Sequence, residues 1–427
     1  MIYSFAVENF RSIKNRQTIS FATTSDRKYR DLVAVEVKPN VFINKLGVFY
    51  GANASGKSNM INAMTCLFAM MIIPREKQNM STNSFTPFAL NKNKPTTFEI
   101  SFFKNGVQYD YYLSYNDKLV LNEELYYYPK RSKAVFYTRK VAENGTQPII
   151  EFGSTLKLSS KTKQSLRENT YNNHTVISTI HKITLTEDAA PIIDLYEWLL
   201  LRVNIDVRDI VASDNMVVKL NEVVGDADKK AFYIQMLKKS DFNINDFSIV
   251  DKNTTYSQEI LEVIDSLSDE QKLSMTKDVQ YTSHTVNGDF QLPSGLQSAG
   301  TLKYTELLDD LYKATTTDSM YLFDEIGVRL HSDLTEYYLS LFLHNSNQSQ
   351  MFFTTHNILL LEAEFMRRDC VYLTYKDSDT ATSEYKRVSD MGLHKNLSLY
   401  NAYKQGKLGA TPSLGSPYIV RKHKTEC

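Results

Sequence analysis

Apolar positions along this 427-residue chain change period several times, and each change marks an element. Short strand-like runs occupy 2–7, 17–22, 32–37 and 45–50, separated by polar stretches. The period then lengthens: Met60, Ile61, Met64, Leu67, Phe68 and Met71 recur at helical spacing until Pro74 ends the pattern. Alternation returns from 97 to 140, where Thr97–Phe103 and Val107–Tyr115 flank Asn105-Gly106, a two-residue hairpin signal. Leu119–Tyr128 follows after Asn116-Asp117. The tyrosines of this stretch, among them Tyr109, Tyr111, Tyr112 and Tyr115, suit half-buried sheet positions.

Residues 155–280 are mostly polar and helical in character, with their densest apolar patch at Ile192, Ile193, Leu195, Trp198, Leu199 and Leu200. They hold no sustained heptads, which excludes long coiled-coil arms. Beyond them come an amphipathic helix carrying Leu302, Leu307, Leu308 and Leu311, a buried strand at 320–323 and a helix over 330–343. A strand at 350–355, a helix over 358–366 and a strand at 370–375 follow. The pattern divides the chain into an N-terminal lobe (1–154) with an antiparallel β subdomain, a helical insertion subdomain (155–280) and a C-terminal lobe (281–427).

Composition narrows the function classes. With 42% apolar residues the chain can bury a sizeable core, and the prior for this length is two or three domains. Forty-nine basic and forty-nine acidic residues cancel, so the whole chain has no charge-driven attraction to nucleic acid or anionic membranes. A DNA site would have to be a local patch, such as Lys130-Arg131-Ser132-Lys133 with Arg139-Lys140, or Arg421-Lys422-His423-Lys424. Cys66, Cys370 and Cys427 have no spacing for zinc or a disulfide framework, which fits a reducing cytoplasm. The N-terminus lacks the marks of a signal peptide, and no apolar window is long enough to span a membrane.

Gly51-Ala52-Asn53-Ala54-Ser55-Gly56-Lys57-Ser58 is a phosphate-binding loop set between a short strand and a helix. Backbone N–H groups of such a loop cradle phosphates, Lys57 supplies a point charge for the β and γ phosphates, and the helix dipole points the same way. Ser58 offers a hydroxyl to Mg²⁺. Far downstream, Met320-Tyr321-Leu322-Phe323 delivers Asp324-Glu325 at a strand's C-terminal end, where ligands of open α/β sheets gather. Asp324 suits the Mg²⁺ shell and Glu325 suits a general base for the attacking water. His356, after another strand, is placed to sense the γ-phosphate. Ser298-Ala299-Gly300-Thr301 opens a helix as a small-residue anion site, fitted to a nucleotide held by another subunit.

That order, phosphate loop, long insertion, Ser-x-Gly at a helix start, Asp-Glu, then histidine, is the order of the ATP-binding-cassette class, whose heads sandwich two ATP molecules head to tail. The chain resembles the stand-alone ABC-type ATPases of bacterial anti-phage defence, grouped with the RloA, AbiL, PARIS AriA and OLD-like proteins. The resemblance rests on Ile2–Val7 with Glu8-Asn9-Phe10-Arg11-Ser12-Ile13, Gly51 through Asn59, Thr97-Phe98-Glu99-Ile100, Glu124-Leu125 and Ser298 through Thr301. It rests further on Phe323-Asp324-Glu325 with Leu330-His331, Thr354-Thr355-His356, and Tyr403 to Gly409.

The resemblance implies an α/β, ABC-type P-loop NTPase head with a mixed sheet, dimerising on ATP and hydrolysing it slowly. It implies that Gly51, Asn53, Ala54, Ser55, Gly56, Lys57, Ser58 and Asn59 bind the nucleotide with Ser298 and Gly300 of a second copy. Ser58 and Asp324 would hold the metal; Glu325 and His356 would be catalytic. As partners it implies another copy of the chain, a phage-derived trigger and a separate toxic effector encoded nearby. Gln297 stands where the family usually has an acid, Ser294-Gly295 offers a second small-residue turn, and Gln78 lies in a polar loop unlike the family's metal-sensing glutamine. A RecF-like DNA-repair ATPase is the alternative, and a nucleotide-gated scaffold the third reading.

Overall fold

The structure, a computed structural model, describes residues 1–411 apart from 83, 143–146, 205–215, 253–263, 286–287 and 395. The basic stretch 421–424 and Cys427 lie outside the described residues.

The N-terminal part supplies β1 (Ile2–Glu8), β2 (Gln17–Ser20), β3 (Ala34–Lys38), β4 (Val41–Asn44) and β5 (Leu46–Gly51). After a helix at Lys57–Ile72 come β6 (Thr96–Lys104), β7 (Val107–Tyr115), β8 (Val120–Tyr127), β9 (Ala134–Lys140) and β10 (Ile149–Phe152). The middle of the chain holds helices at Ser160–Asn169, Ala190–Arg202, Met216–Gly225 and Ala227–Lys239. It also holds β11 (Val203–Asn204) and a three-stranded sheet of β12 (Asp246–Asp251), β13 (Lys277–Thr285) and β14 (Gly288–Pro293). The C-terminal part adds a helix at Ala299–Thr316, β15 (Met320–Phe323), a helix at Ser332–Asn345, β16 (Gln350–Thr354), β17 (Val371–Lys376) and β18 (Ser383–Arg387).

Two large sheets face each other across the Lys57–Ile72 helix. One is antiparallel with seven strands, ordered β10-β9-β8-β7-β6-β1-β2. The other has six, ordered β11-β15-β16-β5-β17-β18, all parallel neighbours except the antiparallel edge strand β18. The helix between them buries twelve of its sixteen residues, which is why its sequence reads as apolar nearly all round. Phe5, Phe98, Ile100 and Leu113 pack on it from the first sheet, and Phe49, Phe352 and Tyr372 from the second.

Strand β5 is buried on both faces, as a central parallel strand must be. Phe49 points to the Lys57–Ile72 helix, while Leu46, Val48 and Tyr50 point to the opposite core. That second core is closed by Tyr304, Leu307, Leu308 and Leu311 of one helix with Tyr338, Leu339 and Phe342 of the next. Because β15, β16, β5 and β17 are parallel and in register, their C-terminal ends share one edge of the sheet.

Some elements differ from the sequence reading. Of the strand expected at 32–37, residues 34–37 lie in β3, whereas Leu32 and Val33 end a short helix, Arg30–Val33; β4 pairs with β3 as a hairpin. The helix expected over 358–366 is a 3-10 turn, Ile358–Glu362: Asn357 caps Leu359 N, and Ala363 turns to extended ψ, ending the coil after five residues. The stretch 155–280, expected to be helical, also carries β12 and the start of β13, and β18, Ser-Glu-Tyr-Lys-Arg, has no apolar run to mark it as a strand.

Candidate nucleotide site

The loop from Gly51 to Ser58 leaves the end of β5 and enters the Lys57–Ile72 helix through Gly56, which has φ +107°. A side chain at Gly56 would be strained by that angle and would strike the Ser383 and Ser12 hydroxyls. Gly51 is equally confined, between Ser55 Oγ and Thr374 O, each 2.6 Å from where a Cβ would stand.

Edge strand β18 supports the loop from outside. Tyr385 OH donates to Gly56 O and Ser383 Oγ to Ser55 O, both at 2.6 Å. Ser12, in the turn after β1, is 2.6 Å from Ser383 Oγ and accepts from Asn59 Nδ2 at 2.6 Å. The loop is therefore clamped between the antiparallel sheet's first turn and the parallel sheet's last strand.

Lys57 is buried, and its ammonium donates to Gly51 O at 3.0 Å and Ala52 O at 3.1 Å. Burial lowers its pKa, opposed by the negative charges of Glu325 and Asp324. The next residue reaches across the sheet: Ser58 Oγ donates to Asp324 Oδ1 at 2.8 Å. The same Oδ1 accepts from Thr354 Oγ1 at 2.6 Å, and Glu325 N donates to that hydroxyl at 2.7 Å. Glu325 takes a left-handed backbone, φ +56°, which turns its carboxylate out of the strand line toward His356 Nε2, 3.4 Å away. Both side chains are about half exposed, at 47% and 48%.

Lys57, Ser58, Glu325 and His356 line one open cleft of about 660 Å³, together with Ser12, Asn53, Ala54, Gly56, Asn59 and Lys376. The donor set suits a small hard cation: one hydroxyl and one carboxylate oxygen, with room for phosphate and water oxygens. Among the described residues no group of three or more His, Cys, Asp or Glu side chains could hold a metal alone. An ion here would need oxygens from its ligand, as Mg²⁺ does with a nucleotide.

Ser298 and Gly300 do not line this cleft. Ser298 caps the Ala299–Thr316 helix, accepting from Thr301 N at 3.0 Å, and a Cβ on Gly300 would lie 3.0 Å from Arg329 O. Upstream, Ser294 opens a 3-10 turn and donates to Asp278 Oδ1 at 2.6 Å. Gln78 is exposed and outside the cleft. Of the basic patch read at 130–140, Arg139 is fully buried and donates to Val120 O, Tyr171 O and Asn172 O, so it faces no nucleic acid.

Sequence reasoning missed Lys376, Ser383 and Tyr385, and gave Ser12 and Thr354 no role. Lys376 was legible in one respect: it ends a strand flanking the loop strand, where site residues collect.

The fold and cleft define a P-loop ATPase-type domain of the ABC head class. The chain matches the family described as "AAA domain, putative AbiEii toxin, Type IV TA system" over residues 48–362, and it belongs to that family. No match is found among curated proteins. Among solved structures it is similar to the SMC head domain from Thermotoga maritima, at 12% identity and a TM-score of 0.39, covering 91% of this chain and 98% of that one. It is also similar to the Smc head domain with an extended coiled coil bound to the C-terminal domain of ScpA, derived from Pyrococcus furiosus. That match has 12% identity and a TM-score of 0.37, covering 95% of this chain and 98% of the other. Among the described residues no helix is long and apolar enough to cross a membrane.

Proposed function

We propose that this chain binds ATP with Mg²⁺ in the cleft and hydrolyses it slowly, as a regulatory ATPase of an anti-phage system that controls a separate effector. The observation that carries the ATPase reading is the Ser58–Asp324 hydrogen bond beside the Lys57 ammonium. It joins the phosphate loop to the acidic strand end, a pairing that an unrelated glycine turn has no reason to make.

In this reading Lys57 and the loop amides hold the β and γ phosphates, while Ser58 and Asp324 hold the metal. Bound Mg²⁺ would offset the phosphate charge and orient the terminal phosphoryl group. Glu325, turned out by its left-handed backbone, takes the proton of the attacking water on a carboxylate oxygen. His356 keeps that carboxylate in place and donates toward the γ-phosphate. A second copy supplies Ser298 and Gly300 at the helix start Ala299, where backbone N–H groups point outward to an anion. The defence reading is supported by the family description, which names a toxin of a toxin–antitoxin system.

The test is Glu325→Gln. It removes the base and leaves the metal and phosphate contacts, so turnover should fall about a hundredfold or more while an ATP-bound dimer accumulates on a sizing column. Near-normal turnover would reject the assignment. For the biological role, cells carrying the gene with its neighbours are challenged with a phage panel: protection lost in Lys57→Ala supports defence, and the absence of any protection by the wild-type locus speaks against it.

A further inference from the structure

Strand β17 pairs with the loop strand β5 so that Thr374 stands opposite Gly51, and Lys376 lies two residues further on. Side chains two apart share a face of a strand. Thr374 packs against the loop at Gly51, so Lys376 leaves the strand on the same side, and its side chain lines the cleft with Asn53, Lys57 and His356. Its ammonium makes no ion pair or hydrogen bond with any described residue, whereas Lys57 is held by two carbonyls. An unpaired, exposed cation on the wall of a phosphate cleft is a charge waiting for an anion.

Its flank says which anion. Asp324 and Glu325 enter from β15, on one side of β5 beyond β16; Lys376 enters from β17, on the other side. The terminal phosphate and its metal belong at the carboxylate flank, because Ser58 and Asp324 meet there. The opposite flank is left for the nucleoside end of the triphosphate. We infer that Lys376 is a second nucleotide-binding cation, contacting the α or β phosphate and not the reacting γ-phosphoryl group. This rests on the proposed ATP reading of the cleft.

An interaction made equally in the ground and transition states changes affinity and leaves the saturated rate alone. Lys376→Ala should therefore weaken ADP and ATP binding by the same factor, about fivefold to tenfold, as expected for loss of one exposed charge-assisted contact. The ATPase KM should rise in step, with kcat unchanged, and Lys376→Arg should restore most of the affinity. Calorimetric titration of Mg·ADP and Mg·ATP into wild type and both variants reads this, with circular dichroism to confirm folding. Unchanged affinity for both nucleotides overturns the inference, as does a loss confined to ATP or a fall in kcat at unchanged KM, either of which would put Lys376 at the γ-phosphate. Failure of the wild type to bind either nucleotide would instead remove the underlying ATP reading.

Discussion

Thr354 fixes Asp324: from the neighbouring strand its buried hydroxyl donates to Asp324 Oδ1 at 2.6 Å. Thr354 Oγ1 in turn accepts from Glu325 N at 2.7 Å, so one side chain sets both the carboxylate proposed to hold the metal and the backbone turn that presents the proposed base. Thr354→Val keeps the shape and removes both contacts. Because groups behind a first ligand orient it, the expected cost is about tenfold to a hundredfold in ATP turnover, with nucleotide binding largely kept. Steady-state kinetics and ATP titration on the one variant decide it; unchanged turnover would leave Thr354 a packing residue.

Ser298 stands apart from Lys57 within one chain, and its helix start serves a nucleotide only if a second copy brings one. Ser298→Arg should leave ATP binding by a single chain intact yet abolish ATP-driven association and turnover. Mixed with Lys57→Ala, it should regain part of the activity, since one composite site then carries both defects and the other neither. Normal hydrolysis by Ser298→Arg alone would point to Ser294-Gly295 or to an unshared site.

The Asp310 carboxyl, on the Ala299–Thr316 helix, is pushed up to about 7 by burial and then by the charge of Asp309. Below its ordinary value of 3.8 both folded and unfolded chains hold the proton, and Asp310 has no pH-linked effect. As pH rises from there to about 7, the unfolded chain releases the proton first, so the folded state loses stability. Asp310→Asn removes that loss. Its melting temperature should exceed that of wild type by about 2–4 °C near pH 8, with a smaller gap near pH 5. A gap that stays constant or shrinks toward high pH would contradict the assigned ionisation.

The strand, glycine loop and helix around Gly51–Ser58, the strand ending in Asp324-Glu325 and the strand before His356 were legible because each is a local pattern: a glycine frame, an apolar run ending in acids, a strand followed by a histidine. The Asn105-Gly106 hairpin was legible for the same reason, its turn residues fixing β6 against β7. What stayed hidden depends on residues far apart in the chain. Tyr385 and Ser383 sit on a strand whose sequence, Ser-Glu-Tyr-Lys-Arg, has no apolar run, and their contacts reach back 329 and 328 residues to the loop. Arg139 reads as surface charge, yet three carbonyls take it into the core. Such placements are tertiary, and periodicity does not contain them.

Whether this cleft holds ATP through Lys57 is read from the ATP affinity of wild type against that of Lys57→Ala. The substitution removes the ammonium from the loop interior and takes no apolar contact from the core. Titration of Mg·ATP should give saturable binding to wild type and binding weakened about a hundredfold or more in the variant, whose circular dichroism and melting profile stay near wild type. Equal affinity in a folded Lys57→Ala protein would contradict the account.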